Sequence, residues 1–116
     1  MTTWKAVERE VARRLGGRRV PITGRQRGDV PDIEHDWLAI EVKHRGKLPA
    51  WLENAMQQAE LCSENGRKLP IAVLHEAGQW HGYDLVVMRL ESFENWFGGM
   101  GDADGGEANE AMERTD

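Results

Sequence analysis

The chain has 116 residues, 30% of them charged, a net charge of −5, five Trp and one Cys. That is room for one compact domain of roughly 100 residues with a modest core. A lone cysteine excludes an intramolecular disulfide framework and any multi-cysteine zinc site and fits a reducing cytosol, while no apolar run approaches the length of about 20 residues that spans a bilayer.

In chain order, Trp4, Val7, Val11 and Leu15 recur at helical spacing before Gly16-Gly17, predicting an amphipathic helix over residues 3–15 with Glu8 at the edge of the apolar stripe. The N-terminal residues lack the apolar core and cleavage site of a secretory signal, so the chain is expected to stay in the cytoplasm. Arg19 to Thr23 reads as a short strand and Gly24 to Asp29 as a basic loop. Two strands follow, about Pro31 to Glu34 and Trp37 to His44, joined by a tight turn at His35-Asp36.

Pro49 suits the first turn of a helix running to about Ser63, with Leu52, Ala55, Met56, Ala59 and Cys62 as its buried stripe. "IAVLHE" and "YDLVVMRL" predict two more strands in a largely buried sheet, and Ser92 a capped last helix through Trp96-Phe97. The expected fold class is α/β, a small mixed β-sheet flanked by helices, over residues 1–97. Residues 98–116, Gly-rich and acidic, are expected to form a disordered tail. His35, His44, His75 and His81 show no metal-ligand spacing in the sequence.

Charge is unevenly distributed. Residues 1–27 carry eight Lys and Arg against Glu8 and Glu10, a local excess of +6, whereas residues 98–116 carry Arg114 against six acids, −5. A basic surface attached to an acidic tail is the expectation, which the whole-chain charge hides.

The stretch "VPDIEHDWLAIEVKHR" carries the chemistry. On its second strand Leu38, Ile40 and Val42 alternate with Glu41 and Lys43, whose α-carbons would lie about 6.6 Å apart on one face. The turn would fold the Asp32 carboxylate back toward that pair. Two carboxylates suit a hard divalent ion, which takes one or two protein oxygens with water and phosphate filling the remaining positions. Lys43 alongside could orient a water or assist proton transfer. An E-x-K on a strand taken alone is more often a surface ion pair. The added weight comes from an acid in the first helix, a basic loop, P-D before a turn and a following helix.

"KAVERE", "VPDIEH" and "IEVKHR" together resemble the PD-(D/E)XK nucleases, a restriction-endonuclease-like fold, and most of all the Holliday-junction resolvase branch of archaea and their viral or phage relatives. The resemblance covers about residues 4–60 and continues in strand order to about 97. It implies a catalytic set of Glu8, Asp32, Glu41 and Lys43. A Mg²⁺ site, with Mn²⁺ as an alternative, would be formed by Asp32, Glu41, the Val42 carbonyl and Glu8, the last through water. It also implies products with 5′-phosphate and 3′-hydroxyl ends. Gln57 or Gln58 resembles a polar helix position near the phosphate in some members. Thr23 stands where resolvases carry a Ser- or Thr-containing loop, as a phosphate contact or a strand-end hydroxyl bonding backbone. Asp29 is a second acid that could compete with Asp32 or pair with Arg27.

Arg13, Arg14, Arg18, Arg19, Arg25, Arg27, Lys43, Arg45 and Lys47 then share a meaning as phosphate contacts, which give affinity without reading sequence. Trp37 and Trp51 could stack on bases, with core or interface packing the more ordinary role. The expected function is metal-dependent, structure-selective cutting of branched DNA, as in DNA recombination, by a homodimer, since two opposed strands need two symmetry-related sites. The alternatives are a nicking, repair or restriction-like nuclease and a DNA-binding module without catalysis.

Overall fold

The computed structural model describes residues 3–20 and 32–98. They fall into two compact units: one runs to Arg45 and includes the chain from Phe97, and the other spans Gly46–Trp96.

The first unit begins with helix α1, Trp4–Leu15. The Thr3 hydroxyl accepts from the Ala6 N–H at 3.1 Å, satisfying one of the orphan donors of the first turn. Gly16, at φ 77°, ends the helix in the left-handed region, and the Gly17 N–H returns to the Ala12 carbonyl at 2.8 Å. The predicted helix is therefore present, but its buried line is rotated from the one expected. Glu8, Ala12 and Leu15 face inward while Trp4 is exposed. Glu8 can face inward because Arg19 neutralises it there, as described below.

β1, Arg18–Arg19, pairs antiparallel with β2, Ile33–Glu34, in the register Arg18 to Glu34 and Arg19 to Ile33. The Val20 N–H extends the pairing to the Asp32 carbonyl at 3.0 Å. Ile33, 1% exposed, is the most deeply buried large side chain among the described residues, and its burial contributes about 2 kcal/mol. A Cβ on Gly17 would lie 2.6 Å from the Glu34 carbonyl and 2.7 Å from Ile33, so only glycine lets α1 turn this tightly onto β2.

The strand expected at Trp37 to His44 is reduced to one antiparallel bridge, Ile33 to Ile40. Its alternation survives: Leu38, Ile40 and Val42 are half-buried and Glu41 and Lys43 exposed. Ladder pairing stops there, because the Val42 N–H is taken by the Asp32 side chain. The turn itself is built by His35. Its Nδ1 accepts the Trp37 and Leu38 N–H groups, both at 3.2 Å, and its Nε2–H donates to the Leu15 carbonyl at 2.7 Å.

In the second unit, helix α2, Ala50–Leu61, follows Pro49 and buries Met56. Cys62, expected on the buried stripe, is exposed at the helix C-cap. α2 packs on β3, Ala72–Leu74, which forms an antiparallel hairpin with β4, Leu85–Val87. A one-turn 3₁₀ helix, His81–Tyr83, leads into β4, and helix α3, Leu90–Phe97, begins two residues before the expected Ser92 cap. Arg89 ties the unit together through Glu53, at 2.6 and 3.2 Å, and Glu60, at 2.7 Å.

Among the described residues the strands form two separate two-stranded sheets rather than one mixed sheet, still within a small α/β arrangement. The hairpin is not largely buried either, since Val73, Leu85 and Val86 are each more than half exposed. Trp37 and Trp51, also more than half exposed, are not core residues. No described helix is long and apolar enough to cross a membrane.

Candidate functional site

Asp32 sits in a bend immediately before β2, and its Oδ2 accepts the Val42 N–H at 3.1 Å. The bridge between Ile33 and Ile40 lies one residue from both Asp32 and Glu41, and the backbone pairing ends there. Glu41 and Lys43 do share a face, since Lys43 Nζ lies 3.3 Å from Glu41 Oε2 with both side chains about two-thirds exposed. The structure thus joins Asp32 to the backbone of the E-V-K segment, on which Glu41 and Lys43 pair with each other, but among the described residues Glu8, Asp32 and Glu41 do not gather into one three-carboxylate group.

Glu8 reaches this neighbourhood from α1. With Val42, Lys43, His44, Arg45 and Trp4 it lines a shallow depression of about 300 Å³. Its Oε1 accepts from Arg19 Nε at 2.8 Å in a pair that is 11% and 20% exposed, with the Arg19 guanidinium 5.7 Å from the centre of the Trp4 ring. Glu8 is therefore near the E-x-K segment but already partnered. Arg19, expected as a phosphate contact, is instead committed to this internal pair.

The other basic candidates differ in their surroundings. Arg13 pairs with Glu10 at 2.7 Å, which holds the Glu10 carboxyl below its ordinary range. Arg18 pairs with Glu34 at 2.9 Å, and Arg45 Nη1 donates to the His44 carbonyl at 3.3 Å beside Lys43. Arg14 lies in the last turn of α1. Lys47, Gln57 and Gln58 belong to the second unit, where Gln57 Nε2 is 3.4 Å from Glu53 Oε2. Thr23, Arg25, Arg27, Asp29 and the tail from residue 99 lie outside the described residues.

One cluster was not visible in the sequence. His75 and His81, six residues apart, converge with Asp84 at the turn end of the β3–β4 hairpin. Only the length of the intervening turn and the hairpin register reveal it. Comparison with protein-family models, curated proteins and solved structures gave no match.

Proposed function

We propose that the chain is a metal-dependent endonuclease that hydrolyses phosphodiesters in branched DNA, a Holliday-junction resolvase of restriction-endonuclease-like fold acting as a homodimer. The observation that carries this reading is the contact of Asp32 with the backbone of the E-V-K segment, alongside the Glu41–Lys43 pair. Clustered carboxylates facing phosphate make electrostatic sense chiefly with a cation between them.

By their chemistry, the carboxylate oxygens of Asp32 and Glu41 suit a hard divalent ion such as Mg²⁺ or Mn²⁺. Asp32 and Glu41 would hold it with the Val42 carbonyl, leaving Glu8, one oxygen of which belongs to Arg19, a water-mediated place. A bound ion supplies charge neutralisation at the phosphate and a more acidic water. Lys43 orients the attacking water and exchanges a proton with it, while Asp32 is kept in position by the Val42 N–H. Arg45, beside Lys43 in the depression, contacts a neighbouring phosphate without reading sequence.

The Glu8–Arg19 pair favours a second reading, a DNA-binding module without catalysis, because a carboxylate already matched by a guanidinium does not need a cation. Incubation with four-way, flap and linear DNA, with and without Mg²⁺, separates the two. The nuclease reading expects Mg²⁺-dependent paired cuts in the four-way junction and an intact linear duplex. Binding without cutting supports the module.

A further inference from the structure

We propose that His75, His81 and Asp84 form a binding site for one divalent transition-metal ion of the Zn²⁺ class, independent of the Asp32–Glu41 site. Three features of the chain build it. The β3–β4 register pairs Ala72 with Val87, Val73 with Val86 and Leu74 with Leu85, so the next pair outward is His75 with Asp84. The one-turn helix His81–Tyr83 closes with the Asp84 N–H on the His81 carbonyl at 3.0 Å, which brings His81 back onto the same carboxylate. Trp80 lies over Gly82, where any β-carbon would collide with its indole, and meets Tyr83 edge-on at 5.4 Å, fixing the turn that carries His81.

The two imidazoles stack with centroids 4.2 Å apart and planes 25° from parallel, and each Nδ1 takes a different oxygen of Asp84, His75 at 2.6 Å and His81 at 3.0 Å. The Asp84 side chain is 14% exposed, so its position is set by the hairpin rather than by solvent. An ionised carboxylate only accepts, so each Nδ1 carries its hydrogen here. An ion ligated at Nδ1 moves that hydrogen to Nε2, and neutral imidazoles bind without releasing a proton.

Zn²⁺ bonds of about 2.0–2.2 Å in tetrahedral geometry put neighbouring ligand atoms roughly 3.3 Å apart. One ligand atom from each of the three residues already lies within 4.8 Å of the others, so side-chain rotations bring them to that separation. Two imidazoles and one carboxylate select Zn²⁺, Co²⁺, Ni²⁺ or Cu²⁺ over Mg²⁺ and Ca²⁺, which require oxygen. Three protein ligands leave a position for water. The ion would clamp the end of β3 to the turn before β4.

The test is titration of the full, untagged chain with Zn²⁺ by calorimetry. The expected result is one equivalent bound in wild-type protein and in His44→Ala, with affinity lowered by more than about 100-fold in His75→Ala, His81→Ala and Asp84→Asn, since even partners one shell further out cost about 10–100-fold. ¹H–¹⁵N spectra of the wild-type imidazoles during the same titration give a readout that no variant's folding affects: His75 and His81 shift together, and His35 and His44 do not. Absence of binding, undiminished binding in the three variants, or shifts at His35 or His44 in place of His75 and His81 would overturn the assignment.

Discussion

The Val42 N–H donates to Asp32 Oδ2 across 3.1 Å. This single bond ends one strand pairing and joins the acid immediately before β2 to the E-V-K segment. It separates two roles of Asp32. An Asn in its place keeps an oxygen for the Val42 N–H, whereas Ala does not. Asp32→Asn should melt close to wild type and lose cleavage. Asp32→Ala should lose cleavage and about 1–3 kcal/mol of stability, as expected for a part-buried hydrogen bond to a charged group. Thermal melts beside a junction-cleavage assay read both.

Glu8 is 9% exposed and depends on Arg19. Arg19→Ala leaves a buried carboxylate without its cation and should cost on the order of 3 kcal/mol in urea denaturation. Replacing both members together, as Glu8→Met with Arg19→Leu, should recover most of that loss. Equal destabilisation in the single and double variants would show that Arg19 acts through packing on Trp4 rather than through Glu8.

His35 serves the backbone at both ring nitrogens, accepting from Trp37 and Leu38 and donating to Leu15. His35→Ala should therefore cost about 2 kcal/mol, the scale set by partly buried groups left unmatched. His35→Asn, whose short side-chain oxygen can accept from the backbone two residues on, should lie between Ala and wild type. Chemical denaturation of the three proteins ranks them directly.

In the second unit, the Arg89 hydrogen bond lowers the Glu53 carboxyl from its ordinary 4.5. A group with a depressed folded value contributes stability above its unfolded value and loses that contribution as pH falls through the folded one. The melting-temperature advantage of wild type over Glu53→Gln should therefore be constant from neutral pH to about 5 and shrink below that. An advantage that grows on acidification would contradict the pairing with Arg89.

Local rules were legible in the sequence. The Thr3 to Gly16 helix, the Pro49 start of α2 and the alternation of Leu38, Ile40 and Val42 against Glu41 and Lys43 all follow from spacing and capping chemistry. What was not legible depends on partners distant in the chain. Glu8 looked like a stripe-edge acid because its buried position depends on Arg19, eleven residues away. The E-V-K segment looked like a regular strand because nothing in it announces that Asp32 takes the Val42 N–H. The His75, His81 and Asp84 convergence depends on a hairpin register that the histidine spacing does not encode.

The most direct measurement is a paired assay on Glu41→Gln, with gel shift and Mg²⁺-dependent cleavage on the same four-way junction. Because Glu41 is exposed and its only partner among the described residues is Lys43, the substitution leaves the fold and the basic surface in place. Junction binding equal to wild type with cleavage abolished is the predicted result. Cleavage at the wild-type rate would contradict a site built on Asp32, Glu41 and Lys43.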